Sequence, residues 1–436
     1  MPPEERKCRG LEGWVPICEH KRYGFADIVR DVESIPADDS LKIINACDKH
    51  YTHVGAFPEE VIPQVQYRLN HMAELTNPIP AKFLDKLDPQ FIEAYNKYAD
   101  QVTIEEFRAN PTRYQTLVPR GPTPDVGSAT VHKIKVARPD GEIEAQVYVP
   151  TDDAVRAGGL KSSDGTLPAY VNYHGGGWVI GNLLTDEPFC RQACQRVGCV
   201  VVDVNYRHGP ETPFPAAVWD AFAALEWVVS RADALGVDPG RVAVGGLSAG
   251  GHLAAVVAHL ARDAGMPPLR LQLLVVPCVD MRWTPVEGRC EAGAVPYATY
   301  VELEDVPCLP LQRMRWFFNY WVGRGGEDMR LLFWDLDVGA DCLVEDRDEK
   351  VKQPIASPIL FTSHADVAPA SIHVAEFDIL REEAEAYHQA LKEAGTRSEF
   401  RVYGGMCHPF AMWDAALDKG KACNLDRIEA LKTAFA

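Results

Sequence analysis

The sequence has little positive charge for its size. Its 436 residues include 44 Lys or Arg against 62 Asp or Glu, which gives a formal net charge of −18 at pH 7. Nucleic acids and anionic membrane surfaces are bound through clustered Lys and Arg side chains. The charge balance therefore argues against both as partners.

Long apolar runs are also absent. No stretch approaches the ~18 consecutive apolar residues of a membrane-spanning helix, so we expect no membrane insertion. The first residues, MPPEERKCRGLEGW, are polar and contain no apolar segment of the kind found in secretory leaders. We therefore expect a cytoplasmic protein.

Regularly spaced cysteine pairs are missing as well. The sequence contains 12 cysteines, and the densest group, Cys190, Cys194 and Cys199, has no second half that would complete a metal site. This pattern is typical of free or buried thiols in a reducing compartment.

What the sequence does contain is an alternation of strand and helix patterns. A hairpin is predicted over Ala129–Pro150, around Pro139-Asp140-Gly141. Apolar runs predict further strands at Ala169–His174, Cys199–Arg207, Arg241–Gly246, Leu271–Pro277, Ser371–Phe377 and Glu399–Gly405. Helical spacing predicts helices at Phe214–Ala232, Ser248–Asp263 and Arg381–Gly395. The alternation predicts an α/β fold, with a mostly parallel central sheet and helices on both faces.

Two regions fall outside this alternation. Residues 1–125 are predicted to form a mostly helical N-terminal extension, with helical apolar spacing over Glu59–Leu75 and Asp88–Asp100. The α/β domain is predicted over residues 126–436, and an insertion interrupts it at about 282–355.

The insertion is rich in aromatic residues. Met314, Phe317, Phe318 and Trp321 recur at i, i+3, i+4 and i+7, which places them on one face of a helix. Such a stripe is more typical of core packing than of a ligand site. We therefore assign no ligand contact to these residues.

The strongest chemical signal is Gly246-Leu247-Ser248-Ala249-Gly250, a G-x-S-x-G between a predicted strand and a predicted helix. A serine on so sharp a turn has strained backbone angles and needs small neighbours, and its hydroxyl is lifted clear of the sheet. The pattern indicates that Ser248 is a nucleophile. On this pentapeptide alone, a serine that only caps the helix remains the alternative.

Candidate partners for Ser248 follow later strands. A serine hydroxyl needs a base to take its proton and a third group to hold that base. Asp378 ends one predicted strand and His408 follows the last one, in the order serine, acid, histidine. Taken singly, Asp378 also suits a helix N-cap and His408 an ordinary loop position. Their joint placement favours a catalytic triad.

Three consecutive glycines in VNYHGGGWVIGN follow a predicted strand. If Ser248 attacks a carbonyl, the resulting oxyanion needs hydrogen-bond donors at about 3 Å. Backbone N–H groups reach it only where no Cβ obstructs the approach. The predicted donors are the amides of Gly176, Gly177 and Ala249. His174 and Gly175 are expected to orient the loop.

These motifs resemble the hormone-sensitive-lipase-like family of α/β-hydrolases. The resemblance covers seven segments, in the family's order, from about Lys135 to the C-terminus, among them YHGGGW, GLSAGGHLA, AEFDILREEAEAY and YGGMCHPF. It implies the α/β-hydrolase fold, with the insertion and the extension forming a helical cap.

For function, the resemblance implies a serine carboxylester hydrolase that uses Ser248, Asp378 and His408 and needs neither a metal nor a cofactor. Together with the aromatic insertion, it implies an uncharged, apolar small-molecule ester, cleaved through an acyl-enzyme. Homodimers are common in the family.

Departures from the family pattern keep alternatives open. Leu247 stands where the family usually has Asp or Thr, and Pro409 where it usually has Gly; the N-terminal region and residues 327–353 are longer than usual. Some relatives act as lyases or cyclases with the same site, and this remains an alternative to hydrolysis. Plant hormone receptors of this fold lack the histidine, so the presence of His408 makes a receptor the weaker alternative.

Overall fold

A computed structural model describes residues 79–98, 119–322 and 347–436. Within them lie eight strands: β1 (Ser128–Ala137), β2 (Asp140–Val149), β3 (Leu167–Tyr173), β4 (Val200–Asn205), β5 (Val237–Leu247), β6 (Leu271–Val275), β7 (Ala370–Phe377) and β8 (Ser398–Cys407). The described helices are α1 (Pro89–Tyr98), α2 (Asp152–Gly158), α3 (Glu187–Ala193), α4 (Ala216–Ser230), α5 (Ala232–Leu235), α6 (Ala249–Asp263), α7 (Thr299–Glu302), α8 (Leu311–Val322), α9 (Arg347–Val351), α10 (Arg381–Glu393) and α11 (Asp418–Phe435).

The strands form one sheet in the order β1-β2-β4-β3-β5-β6-β7-β8. The β1 and β2 strands are antiparallel to each other, and β2 is antiparallel to β4. From β4 to β8 every neighbouring pair is parallel. The prediction of a mostly parallel sheet is therefore confirmed. Because parallel strands end at the same edge, the loops after β3, β5, β7 and β8 meet there.

Apolar side chains cover both faces of the sheet. Along β3, Ala169, Val171 and Tyr173 lie in a cluster with α4, α6 and α10. On the opposite face, Tyr170 packs in a cluster with α3 and α11. Helices on both faces explain why the central strands are mostly apolar on both sides rather than alternating between apolar and polar.

Some boundaries differ from the sequence-based expectation. The hairpin loop lies at residues 138–139, because Asp140 already pairs with Ala137 in the ladder. This shift fits the chemistry of Pro139, which has no N–H to donate to a ladder. Helices α2, α3 and α11 had no counterpart among the predicted elements. The helix predicted over Glu59–Leu75 lies outside the described residues.

The described part of the N-terminal extension packs beside the end of β8. The ring of Phe91 stacks on Trp413, with ring centroids 5.7 Å apart and planes 5° from parallel. The amide of Asp88 donates to the carbonyl of Gly405 at 3.0 Å. This segment therefore supports the chain on either side of His408.

The described cysteines carry free thiols, and all but one of them are buried. Burial raises the pKa of the thiols of Cys190, Cys194 and Cys199, the densest cysteine group in the sequence. Within the described ranges, no helix is both long enough and apolar enough to cross a bilayer.

Candidate active site

Ser248 lies on the tight turn between β5 and α6. Its φ of 57° and ψ of −116° are strained for a residue with a Cβ. A Cβ on Gly246 would lie 2.2 Å from the carbonyl oxygen of Tyr173, and one on Gly250 would lie 1.8 Å from the same atom. Only glycine fits on either side of the serine, so the turn has the construction that the sequence predicts.

His408 and Asp378 lie in line with the serine. The Oγ of Ser248 is 2.9 Å from Nε2 of His408, and Nδ1 of His408 is 2.9 Å from Oδ2 of Asp378. When the imidazole is neutral with Nδ1 protonated, it donates to the carboxylate and presents the Nε2 lone pair to the serine hydroxyl. The structure therefore brings together the three residues selected from the sequence.

Local contacts hold each member of this line. The amide of Ser248 donates to the carbonyl of Val275 at the end of β6, at 2.8 Å. The second oxygen of the buried Asp378 accepts the amide of Leu380 at 3.0 Å. His408 is also buried, with an exposed fraction of 5%. Burial restricts the motion of the side chains and excludes most water from the hydrogen bonds.

The glycine loop follows β3 and packs against the serine turn. Gly176 and Gly177 have φ angles of 124° and 58°, in a region that disfavours side chains. A Cβ on Gly176 would lie 2.0 Å from the carbonyl oxygen of Ile180. Among the described residues, no backbone hydrogen bond outside helices and strands starts from the amides of Gly176, Gly177 or Ala249.

His174 lies at the base of this loop. Its ring stacks on Tyr206 at 4.3 Å between centroids, and the Tyr206 hydroxyl donates to the carbonyl of His174 at 2.8 Å. Burial lowers the pKa of His174, which favours a neutral ring whose Nδ1–H donates to the carbonyl of Gly175 at 2.7 Å. These contacts suit the orienting role predicted for His174 and Gly175.

Two of the departures from the family pattern, Leu247 and Pro409, lie in or next to an apolar cluster. Leu247 is buried in a cluster that includes Leu303, Val306 and Cys407. A polar side chain at Leu247 would need a hydrogen-bond partner there. Pro409 precedes a short 3₁₀ helix, Phe410–Trp413, which belongs mostly to the same cluster.

The aromatic stripe of α8 faces the glycine loop. All four of its members, Met314, Phe317, Phe318 and Trp321, are buried. A Cβ on Gly177 would lie 2.2 Å from Cδ1 of Phe317, so the ring is in direct contact with the loop. The stripe is core, and that core lies against the candidate site.

The sequence reasoning missed three further hydrogen bonds, made by residues that lie a few positions along the chain from Gly177, Ser248 and Asp378. The Nε1–H of Trp178 donates to Nδ1 of His252 at 3.2 Å. Glu383 accepts the amide of Val279 at 2.6 Å and the hydroxyl of Tyr300 at 2.6 Å. Burial raises the pKa of Glu383 to about 8. Only the position of His252, one helical turn after Ser248, was a usable signal.

Replacing Gly177 by alanine is expected to lower kcat for ester hydrolysis by roughly 10- to 100-fold, because the Cβ would displace either Phe317 or the loop amides. Steady-state kinetics with p-nitrophenyl butyrate measure the effect. The double variant Gly177→Ala/Phe317→Ala should recover part of the loss.

Gly236→Ala is the matched control, because Gly236 has a φ of 65° but open space around its Cβ position. It should cost about 1 kcal/mol of stability and leave kcat unchanged. A Gly177→Ala enzyme with the kcat of the parent would show that the loop amides do not need this geometry.

Within the ranges that the structure describes, no three or more His, Cys, Asp or Glu side chains are grouped so as to hold a metal ion.

Comparison with known proteins identifies the family. A family model described as alpha/beta hydrolase fold matches residues 170–334 and 326–412. The AB hydrolase superfamily protein C1039.03 of Schizosaccharomyces pombe is 33% identical over 375 residues, which cover 82% of this chain and 97% of that protein. The chain therefore belongs to the hormone-sensitive-lipase-like family of α/β-hydrolases, and its sheet is the α/β-hydrolase fold.

Other relatives carry names that state an activity. The carboxylic ester hydrolase LipN of Mycobacterium tuberculosis is 36% identical over 281 residues, 64% of either chain. Among solved structures, an esterase of Pyrobaculum calidifontis is similar with a TM-score of 0.64 and 30% identity, over 80% of this chain and 98% of that one.

Proposed function

We propose that this protein is a serine carboxylester hydrolase in which Ser248 is the nucleophile and His408 is the general base. Asp378 is the carboxylate that orients His408. The observation that carries the proposal is the continuous hydrogen-bonded line from Ser248 Oγ through His408 to Asp378, with both contacts at 2.9 Å. The names of the relatives LipN and the Pyrobaculum calidifontis esterase support ester hydrolysis as the reaction.

In the first half of the reaction, Nε2 of His408 takes the proton of Ser248 as Oγ attacks the ester carbonyl carbon. The carbonyl oxygen becomes an oxyanion, which accepts hydrogen bonds from the amides of Gly176, Gly177 and Ala249. Its collapse breaks the bond to the alcohol oxygen. His408 gives its proton to that oxygen, and the acyl group remains on Ser248.

In the second half, water replaces the alcohol. His408 takes a proton from the water as its oxygen attacks the acyl carbon, and a second oxyanion forms in the same place. The proton then returns to Ser248 Oγ as the acid leaves. Throughout, Asp378 holds Nδ1 of His408 in the protonated tautomer and stabilises the imidazolium.

The proposed substrate is an uncharged, apolar small-molecule ester. The support is the ring of Phe317 against Gly177 and the buried stripe to which it belongs. A carboxylate placed against the negative faces of these rings would lose hydration without gaining a partner. A cytoplasmic location is supported by the free thiols, and a homodimer by the edge position of β8 in the sheet.

The protein is expected to hydrolyse p-nitrophenyl acetate and p-nitrophenyl butyrate, and the release of p-nitrophenolate is measured by its visible absorbance. An anionic p-nitrophenyl monoester of adipic acid should be a much poorer substrate, because its carboxylate would lose hydration against the ring of Phe317 without gaining a partner. Labelling of Ser248 by a fluorophosphonate without turnover of any of these esters would contradict hydrolysis and favour the lyase or cyclase alternative.

A further inference from the structure

The proposed oxyanion donors come from two separate parts of the chain. The amides of Gly176 and Gly177 belong to the loop after β3, and that of Ala249 begins α6. Donors act on the oxyanion only when they converge on one point, at about 3 Å from it. Some contact must therefore hold the loop at a constant distance from the start of α6.

Trp178 and His252 make such a contact. Trp178 directly follows Gly177, and His252 lies on the first turn of α6. The indole Nε1–H donates to Nδ1 of the imidazole at 3.2 Å, with the ring planes 85° apart. The bond thus joins the residue that follows the donors Gly176 and Gly177 to α6, the helix that begins with the donor Ala249.

Both side chains are buried, and the imidazole of His252 is in the protonation state that this hydrogen bond needs. Trp178 is buried and has a φ of 60°, which is strained for a residue with a Cβ. His252 is fully buried, and burial lowers its pKa to about 3. The imidazole therefore stays neutral at ordinary pH, and Nδ1 remains an acceptor when Nε2 carries the proton.

The cap insertion reinforces the pair. Trp321 of α8 stacks on Trp178 at 4.2 Å between centroids and lies edge-on to His252 at 5.3 Å. Its carbonyl accepts the amide of Phe214 at 2.7 Å, which ties this end of α8 to the segment before α4. The indole of Trp178 is thus held between the nucleophile helix and the cap.

We propose that the Trp178–His252 hydrogen bond fixes the spacing between the two halves of the oxyanion hole, so that both are positioning residues for the reaction. This inference rests on the proposed function. Ring packing alone would tolerate phenylalanine at position 178, whereas the hydrogen bond requires a donor there and an acceptor at 252.

The test compares Trp178→Phe, which keeps a ring but removes the donor, with His252→Leu, which removes the acceptor. His252→Asn is the conservative variant, because its Oδ1 replaces Nδ1 as the acceptor. Trp227→Phe is the control, since Trp227 on α4 contacts His132 at 5.3 Å between ring centroids and lies outside the site.

The measurements are kcat and KM with p-nitrophenyl butyrate, inhibition by a boronic acid that forms a tetrahedral adduct with serine, and the thermal unfolding midpoint.

Trp178→Phe and His252→Leu are each expected to lower kcat about tenfold and to weaken boronic acid inhibition about as much, with KM within roughly twofold. The double variant should be no slower than either single one, because both remove the same bond. His252→Asn should recover most of the activity, and Trp227→Phe should match the parent.

Three results would contradict parts of this account. If the parent enzyme is active and both Trp178→Phe and His252→Leu keep its kcat, the inference is overturned. The proposed function is then unaffected. Equal losses in His252→Asn and His252→Leu, in step with lower unfolding midpoints, would assign the pair to packing and also overturn it. A parent protein that hydrolyses no ester and takes up no boronic acid would overturn the proposed function and the inference with it.

Discussion

Ser248→Ala is expected to lower kcat for p-nitrophenyl butyrate by about 10⁴- to 10⁶-fold and to abolish labelling by a fluorophosphonate. The alanine has no Oγ, so no acyl-enzyme forms, and the remaining rate comes from substrate binding and the oxyanion donors. Because Ser248 lies on a strained turn, the smaller side chain is not expected to lower stability. Steady-state kinetics and gel-based labelling measure both effects.

A second serine–histidine pair in the same chain provides the control. Ser371 Oγ lies 3.0 Å from Nε2 of His373, whose Nδ1 lies 3.0 Å from the Tyr403 hydroxyl. Ser371 is buried on β7, with neither a turn nor a glycine loop described beside it. Ser371→Ala should keep the kcat and the labelling of the parent. Labelling of Ser248→Ala at the level of the parent would remove Ser248 from its proposed role.

Asp378→Asn is expected to lower kcat by about 10⁴-fold while leaving the fold intact. The asparagine amide can donate to Nδ1 of His408, which shifts the imidazole proton to Nε2. That nitrogen, 2.9 Å from Ser248 Oγ, would then lack the lone pair needed to accept the serine proton. Circular dichroism with steady-state kinetics separates the loss of rate from a loss of structure.

Asp426→Asn is the matched control, because Asp426 also ends a chain of hydrogen bonds that includes a histidine. Its Oδ2 accepts the hydroxyl of Tyr403 at 2.7 Å, and Tyr403 contacts His373. The variant should lose some stability and keep kcat within about twofold. If Asp378→Asn were as fast as the parent, another group would have to orient His408.

The strands were predictable because burial on both faces leaves a plain record in the sequence. The segments 200–204 and 271–275 are apolar apart from the buried Asp203 and Gln272, and each forms a central parallel strand. The prediction was weaker where local signals conflict with the final structure. β5 begins at Val237, although Asp238, Pro239 and Gly240 resemble a loop.

Helix α11 is a second case in which the local sequence signals conflict with the structure. Its sequence contains Gly420 and Asn424, which are poor helix formers. The helix is supported by burial of Ile428, Leu431 and Phe435 against the sheet. Such support depends on the sheet being present, so residue-by-residue reasoning did not find it.

The candidate triad could be predicted because topology converts order along the chain into proximity. Ser248, Asp378 and His408 each follow a parallel strand, and parallel strands end at one edge of the sheet. Their catalytic roles remain a prediction, which the variants above test. The glycines were predictable for a steric reason, since a Cβ on Gly246 or Gly250 would collide with the carbonyl of Tyr173 and one on Gly177 would collide with the ring of Phe317.

The sequence by itself determined the fold class, the three aligned polar residues and the glycine loop, because each depends on short segments and their order. Tertiary structure alone decided that Phe317 lies against Gly177 and that Trp178 donates to His252. These contacts join segments far apart in the chain, and their distances depend on how helices dock on the sheet. Packing of that kind has no local pattern, so it appears only once the whole domain is folded.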